Sequence, residues 1–326
     1  MANKQNMLEE FEMIGWIQQQ AGSSGHLTLG IGDDCSIQRQ QGDLDLLTST
    51  DMLIEGIHFQ PEWCSMFNLG RKSAAVNISD IAAMGGKPQS LFLSIGRPKK
   101  VSDREIKEFI TGFLTEAKYY GAALAGGDTC RSPELLTISV TVQGTVPTGD
   151  AICRQGASCG DAVYVSGTLG DSALALQMLQ QGLQPGSFLA ERFHTPTPQI
   201  SLGRILSQRQ FATAMLDISD GLLADLGHIL SSSSVGADLE LQQLPLSKEF
   251  RQALATDASV IDLALAGGED YELVFTSPLK DLSDQVGRIC PITRIGTITQ
   301  TPGIRIMQEN GTPYRCQYDG FDHFAQ

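Results

Sequence analysis

The 326-residue chain has no dense run of lysine or arginine. Its 23 basic residues are outnumbered by 37 acidic ones, giving a net charge of −14. Nucleic-acid binding rests on basic side chains that neutralise phosphates, so no nucleic-acid partner is expected. No apolar stretch reaches the ~18 residues of a membrane-spanning helix. The opening segment MANKQNMLEEFEMIGWIQQQ has acids where a secretory signal has a basic start and an apolar run. The seven cysteines are odd in number, and no pair has C-x-x-C spacing. A disulfide framework or zinc site is therefore not expected, and reduced thiols fit a cytoplasmic location. Familiar nucleotide signatures are missing as well. Gly86-Lys87 runs into Pro88 and Gln89, not a P-loop, and Gly30 and Gly32 continue into Asp33-Asp34, not a dinucleotide fingerprint. The protein-kinase H-R-D and D-F-G motifs and the G-x-S-x-G elbow are absent too.

What is present is an ordinary globular composition, 41% apolar and 18% charged, with 34 glycines. The length suggests two domains. Leu8, Phe11, Ile14 and Ile17 recur three apart and predict a helix over 7–20. LDLLTSTDML (44–53) predicts a buried strand stopping at Asp51. RKSAAVNISDIAAMGG (71–86) predicts a helix closed by paired glycines. Strand 90–96 and helix 103–121 follow. AALAGGDTC (122–130) predicts a short strand entering a loop at Asp128, and LLTISVTVQGTV (135–146) alternates as a strand. The Pro- and Gly-rich segment 147–161 places a boundary there, giving domains 1–148 and 149–326. Beyond it, 161–167 reads as strand and 171–181 as helix. Residues 212–230 read as strand, acidic turn and helix, and 263–275 as an apolar element, a glycine turn and a strand. This alternation predicts an α/β protein built of α+β layers.

The chemistry is carried by where the acids sit. Asp33, Asp34, Asp51, Asp80, Asp128, Asp217, Asp220, Glu269 and Asp270 lie at ends of apolar segments beside glycine or small residues. Any one alone is an ordinary turn or cap residue. Several that converge would repel one another and require cations. Magnesium, which takes oxygen ligands and completes its shell with phosphate and water, suits such a set.

Seven motifs, GIGDDC (30–35), STDMLIEGIHF (49–59), VNISDIAAMGG (76–86), AGGDTCR (125–131), LDISDGLLADLGHI (216–229), GGEDYEL (267–273) and GFDHF (320–324), together resemble the thiamine-monophosphate kinases. That family sits in the superfamily of aminoimidazole ribonucleotide synthetase, which binds ATP without a P-loop. The resemblance implies that superfamily's two-domain fold, with an N-terminal ATP- and metal-binding domain whose sheet forms a homodimer interface. It implies ATP-dependent phosphorylation of thiamine monophosphate. Carried onto matching positions, Asp34, Ser49, Thr50, Asp51, Asp80, Asp128 and Asp217 would hold several magnesium ions, and Asp220 a further one. Gly127, Asp128, Arg154 and Ser219 would contact ATP. His58, Glu269 and Phe321 would contact the thiamine moiety, Glu269 complementing its cationic thiazolium. No covalent nucleophile stands out, so direct in-line transfer is expected. Asp225 and His228 read as a simple helical pair. Two alternatives remain: another ATP-using ligase of the superfamily, or a metal- and nucleotide-binding protein without turnover.

Overall fold

The computed structural model describes residues 10–21, 27–40 and 42–317. Phe321 and the GFDHF motif lie outside the described residues. The first half holds helices α1 (Glu10–Ala21), α2 (Met66–Ala83) and α3 (Asp103–Tyr119), and strands β1 (Leu27–Leu29), β2 (Ser36–Arg39), β3 (Leu44–Ile54), β4 (Lys87–Arg97), β5 (Ala123–Arg131) and β6 (Thr137–Pro147). The second holds helices α4 (Asp171–Gln180), α5 (Ser187–His194), α6 (Ile200–Gln208), α7 (Leu222–Ser233), α8 (Lys248–Thr256), α9 (Ile261–Ala266) and α10 (Ser283–Val286). Its strands are β7 (Ala162–Ser166), β8 (Ala214–Asp217), β9 (Gly236–Glu240), β10 (Leu273–Ser277), β11 (Ile292–Thr299), β12 (Gly303–Met307) and β13 (Pro313–Tyr314). No helix among the described residues is long and apolar enough to cross a membrane.

The first sheet runs β1-β2-β3-β6-β4-β5, with only β4 and β5 parallel. Strict alternation along β6 buries Ile138, Val140 and Val142 and leaves the intervening residues half-exposed. The same rule along β3 turns Asp45, Leu47, Ser49, Asp51 and Leu53 inward and Thr50 and Met52 outward. The inner face packs on α2 and α3 through Leu47, Leu91, Leu93, Phe109 and Phe113. Each such side chain contributes about 1.5–3 kcal/mol of burial. The two helices touch backbone to backbone. A Cβ on Gly70 would lie 2.0 Å from the Phe109 carbonyl oxygen, and one on Gly112 would lie 1.9 Å from that of Phe67.

Three boundaries differ from expectation. β3 continues through Asp51 to Ile54, because it pairs with β6 along its whole length. α2 starts at Met66 and not at Arg71, capped by Ser65, whose hydroxyl accepts from the Asn68 N–H. The interior Gly70 that disguises this start is required by the close approach of α3. Asp128 lies within β5, paired with Ser94 of β4, and not in a loop.

The second sheet runs β13-β12-β9-β11-β7-β10-β8 and is antiparallel except for β9 with β12. Both faces are covered. Leu174, Phe193, Leu226, Ile229, Phe250 and Leu265 pack on one, and Leu202, Leu206, Leu282 and Val286 on the other. Central strands β7 and β10 are accordingly buried throughout. The halves meet along α2: a Cβ on Gly203 of α6 would lie 2.1 Å from the Ala82 carbonyl oxygen.

Candidate functional site

A cavity of 880 Å³ opens where the halves meet. It is lined by β3, the body of α2, the turn after β8, α4, α9 and the Gly267–Glu272 loop. The acids Asp51, Asp80, Asp217 and Asp220 share it with the apolar groups Leu53, Ile57, Trp63, Leu176 and Leu263. The cavity thus offers both negative charge and surface for an apolar ring system.

The acids come from four elements. Asp34 follows the Gly30–Gly32 turn, Asp51 faces inward from β3, Asp80 lies in the last turn of α2, and Asp217 ends β8. Burial pushes Asp51 up to about 6, with the charges of Asp217 and Asp220 adding to the effect. Burial also raises Asp80 well above the usual range, reinforced by Asp51, Asp217 and Asp34. Asp34 is raised in the same way by burial, against the pull of Arg154. Asp217 is raised by burial and held down in part by Ser79, whose hydroxyl donates to Oδ2 at 2.5 Å. Asp34 Oδ2 and Asp80 Oδ2 are buried without a hydrogen-bond partner. Orphaned carboxylate oxygens facing like charges, in a set of hard oxygen donors, fit divalent cations of the magnesium type. Among the described residues no three such side chains converge as a finished cation cage.

Arg154 stands where a cation is wanted. Its Nη2 donates to Asp34 Oδ1 at 2.6 Å and its Nε to the same oxygen at 3.2 Å, while its backbone N–H donates to Asp33 Oδ2. Its side chain is only 21% exposed, so it is not the solvated surface residue its linker position suggests.

The other expected site residues divide. His58, Ser219, Asp220 and Glu269 line the cavity. His58 Nδ1 accepts the Ile54 N–H. Ser49 shares the inward face of β3 and donates to Asp80. Thr50 lies on the opposite face, its hydroxyl engaged with Thr141 and the Val140 carbonyl, so only its backbone turns toward the acids. Gly127 and Asp128 are exposed on edge strand β5, three strands from β3. At about 4.8 Å per strand that is about 14 Å. Asp128 shares its row with Ser94, Ser139 and Met52, on the outer face.

The Gly267–Glu272 loop carries the expected Glu269 and Asp270, and with them Tyr271 and Glu272, which sequence reasoning missed. Glu269 and Tyr271 both adopt left-handed backbone, with φ of 65° and 51°. Backbone bonds from Glu269 N–H to the Ser219 carbonyl and from Tyr271 N–H to the Ile218 carbonyl hold them there. Both side chains line the cavity, and Tyr271 is half-buried near Asp51, Asp217 and Asp220. Asp270 between them and Glu272 after them turn back onto Arg192 of α5, whose Nη1 lies 3.0 Å from Glu272 Oε1. Asp270 Oδ2 accepts the Gly170 N–H at 2.7 Å, and its Oδ1 has no partner. Burial pushes Asp270 up to about 7 despite Arg192. Asp225 Oδ2 accepts the backbone N–H groups of Ser219, Asp220 and Gly221, so it shapes the acidic turn and is more than half of a helical pair. Lys72 of α2 donates to Glu269 Oε2 at 2.7 Å. A lysine amid serine, alanine and valine was the available signal, because an exposed helix face would not be so apolar.

Residues 32–146 match the model of the AIR synthase related protein, N-terminal domain, and residues 159–308 that of its C-terminal domain. The thiamine-monophosphate kinase of Salmonella typhimurium is 37% identical over 327 residues, covering 97% of this chain and 98% of that protein. The Bacillus subtilis thiamine-monophosphate kinase is 32% identical over 328 residues, covering 97% and 100%. A solved structure of AaThiL complexed with AMPPCP and TMP superposes with a TM-score of 0.85 at 31% identity, covering 99% of both chains.

Proposed function

The chain belongs to the thiamine-monophosphate kinase family of AIR synthase related proteins, and on that premise we propose that it transfers the γ-phosphoryl group of ATP directly to thiamine monophosphate, giving thiamine diphosphate. The observation that carries this reading is the cavity between the halves. There, buried and half-buried acids share with apolar side chains one space of a size suited to small organic ligands. The AMPPCP and TMP of the AaThiL structure correspond in class to the two substrates.

Both substrates are anions, and the attacking phosphate oxygen is already ionised, so no strong general base is required. Magnesium ions, when bound, would supply positive charge that offsets the repulsion between the phosphates. Asp34, Ser49, Asp51, Asp80 and Asp217 would hold them, with Asp220 at a further ion and Thr50 contributing through its backbone. Arg154 and Ser219 would meet the nucleotide. His58, Glu269 and Phe321 would orient the thiamine moiety.

The remaining proposals concern assembly. Residues 1–148 form the nucleotide- and metal-binding part and 149–326 the second domain, and the protein is a cytoplasmic homodimer joined through N-terminal sheets. The outward placement of Gly127 and Asp128 on an edge strand supports that pairing, because within one chain they stand away from the acids. The test is a coupled assay with purified protein, ATP, magnesium and thiamine monophosphate, the product separated by chromatography. Metal- and protein-dependent thiamine diphosphate is expected. A folded protein that yields none refutes the reading.

A further inference from the structure

Lys72 is the only buried lysine among the described residues, its side chain 4% exposed. Burying an ammonium is costly unless it is paired, so its position demands a reason. Its Nζ lies 2.7 Å from Glu269 Oε2 and 4.2 Å from the centroid of the Phe193 ring. It therefore ties α2 of the first half to a loop and a helix of the second. Glu269 is held from both ends, its backbone by Ser219 and its carboxylate by Lys72, and its side chain is 27% exposed where it lines the cavity. The cavity wall here is already supplied with positive charge. His194, beside the pair, is pushed down by burial and by the Lys72 ammonium.

A lone carboxylate would suit a cationic ring. A carboxylate whose charge is matched at 2.7 Å by a buried ammonium offers little net attraction to a second cation. What it offers is a well-oriented acceptor oxygen, Oε1, for a neutral N–H donor. We infer that Lys72 is a positioning and specificity-determining residue that converts Glu269 from a counter-ion for the thiazolium into a hydrogen-bond acceptor for the exocyclic amino group of the aminopyrimidine. The inference rests on the proposed substrate, thiamine monophosphate, and assigns which of its groups this corner of the cavity reads.

Steady-state kinetics of the full-length protein test it. The variants are Lys72→Met, Lys72→Arg and Glu269→Gln, and the substrates are thiamine monophosphate and an analogue with hydrogen in place of the exocyclic amino group. Lys72→Met is expected to raise KM for thiamine monophosphate about tenfold or more. Its kcat should stay within about twofold and its KM for ATP should not move, since the interaction is with bound thiamine moiety alone. Lys72→Arg should restore most of the loss. The wild type should lose a similar factor, about tenfold, on the des-amino analogue, whereas Lys72→Met should not discriminate between the two substrates. Glu269→Gln keeps one acceptor oxygen, which Lys72 claims, and turns its NH2 toward the amino group, so it too should lose about tenfold in KM together with the preference for the amino substrate.

A Lys72→Met enzyme with wild-type KM overturns the inference. So does a wild type indifferent to the amino group, or a variant in which kcat and both KM values worsen together with the melting temperature. If Lys72→Met does not fold, the Glu269→Gln and analogue measurements decide: a Glu269→Gln variant that loses affinity yet prefers the amino substrate over the analogue as strongly as wild type indicates a counter-ion and refutes it. A wild type that makes no thiamine diphosphate removes the proposed function, and this inference with it. An active wild type with indifferent variants removes the inference alone.

Discussion

Replacing Asp270 with asparagine should make the protein more stable in base than in acid relative to wild type, by an amount the surroundings of that residue set. Asp270 is buried, its Oδ1 lacks a partner, and its carboxyl is pushed from 3.8 to about 7. The folded pKa lies above the unfolded one, so the folded state holds the proton more tightly. The favourable contribution is then whole below about pH 4 and is lost as pH rises through about 7. A shift of about 3 units at about 1.36 kcal/mol each caps the penalty in base at about 4 kcal/mol. Integrated over the two states, about 2.5 kcal/mol of that loss falls between about pH 5 and pH 8. Asparagine is a neutral isostere that can still accept the Gly170 N–H, so it keeps the loop contact and removes the titration. Urea unfolding of both proteins in EDTA at about pH 5 and about pH 8 measures it. The stability of Asp270→Asn relative to wild type should improve by about 2.5 kcal/mol from the lower to the higher pH. A difference that stays flat with pH would refute the reasoning, and would mean that Arg192 fully compensates the charge.

Three further outcomes follow from the same geometry. Asp51→Asn should cut turnover at saturating magnesium by at least about a hundredfold while urea unfolding without metal shows equal or greater stability, because burial and its neighbours Asp217 and Asp220 oppose its charge. A rate within about tenfold of wild type would remove Asp51 from the ligand set. Arg154→Met strands the Asp34 carboxylate and should destabilise the metal-free protein by about 3 kcal/mol. Magnesium should raise its melting temperature more than that of wild type, and an equal shift would show that Arg154 and cations do not compete for Asp34. Gly112→Ala puts a Cβ against the Phe67 carbonyl and should cost about 2–3 kcal/mol in urea unfolding. Wild-type stability in that variant would mean that α2 and α3 separate without loss.

The alternating strands were plain in the sequence because each has one buried face, as β6 has from Ile138 to Val146. The turn between β8 and α7 was equally plain, since Ser219-Asp220-Gly221 interrupts two apolar runs. The start of α2 was not, because Gly70 is there for a neighbour distant in the chain. The acids were visible as types beside glycine, and Asp34, Asp51, Asp80 and Asp217 do come together. What could not be read was the partner of each. Lys72 and Glu269 are 197 positions apart, and nothing local in either segment signals the other. Asp225 looked like half of a helical pair because spacing speaks only of its own helix, whereas its carboxylate serves three backbone N–H groups of the preceding turn. Thr50 and Asp51 are neighbours in sequence and in motif, yet the pleat sends them to opposite faces.

Helix α2 carries Lys72 near one end and Asp80 near the other, eight residues apart. It is wedged against α3 at Gly70 and against α6 at Ala82, where no side chain intervenes to act as a cushion. A rise of about 1.5 Å per residue fixes about 12 Å between the two positions along the axis. The helix is thus a gauge block. A ligand that reaches both the acids and the Glu269 corner must match its length, and neither loop motion nor rotamer change can reset that distance while the helical hydrogen bonds hold.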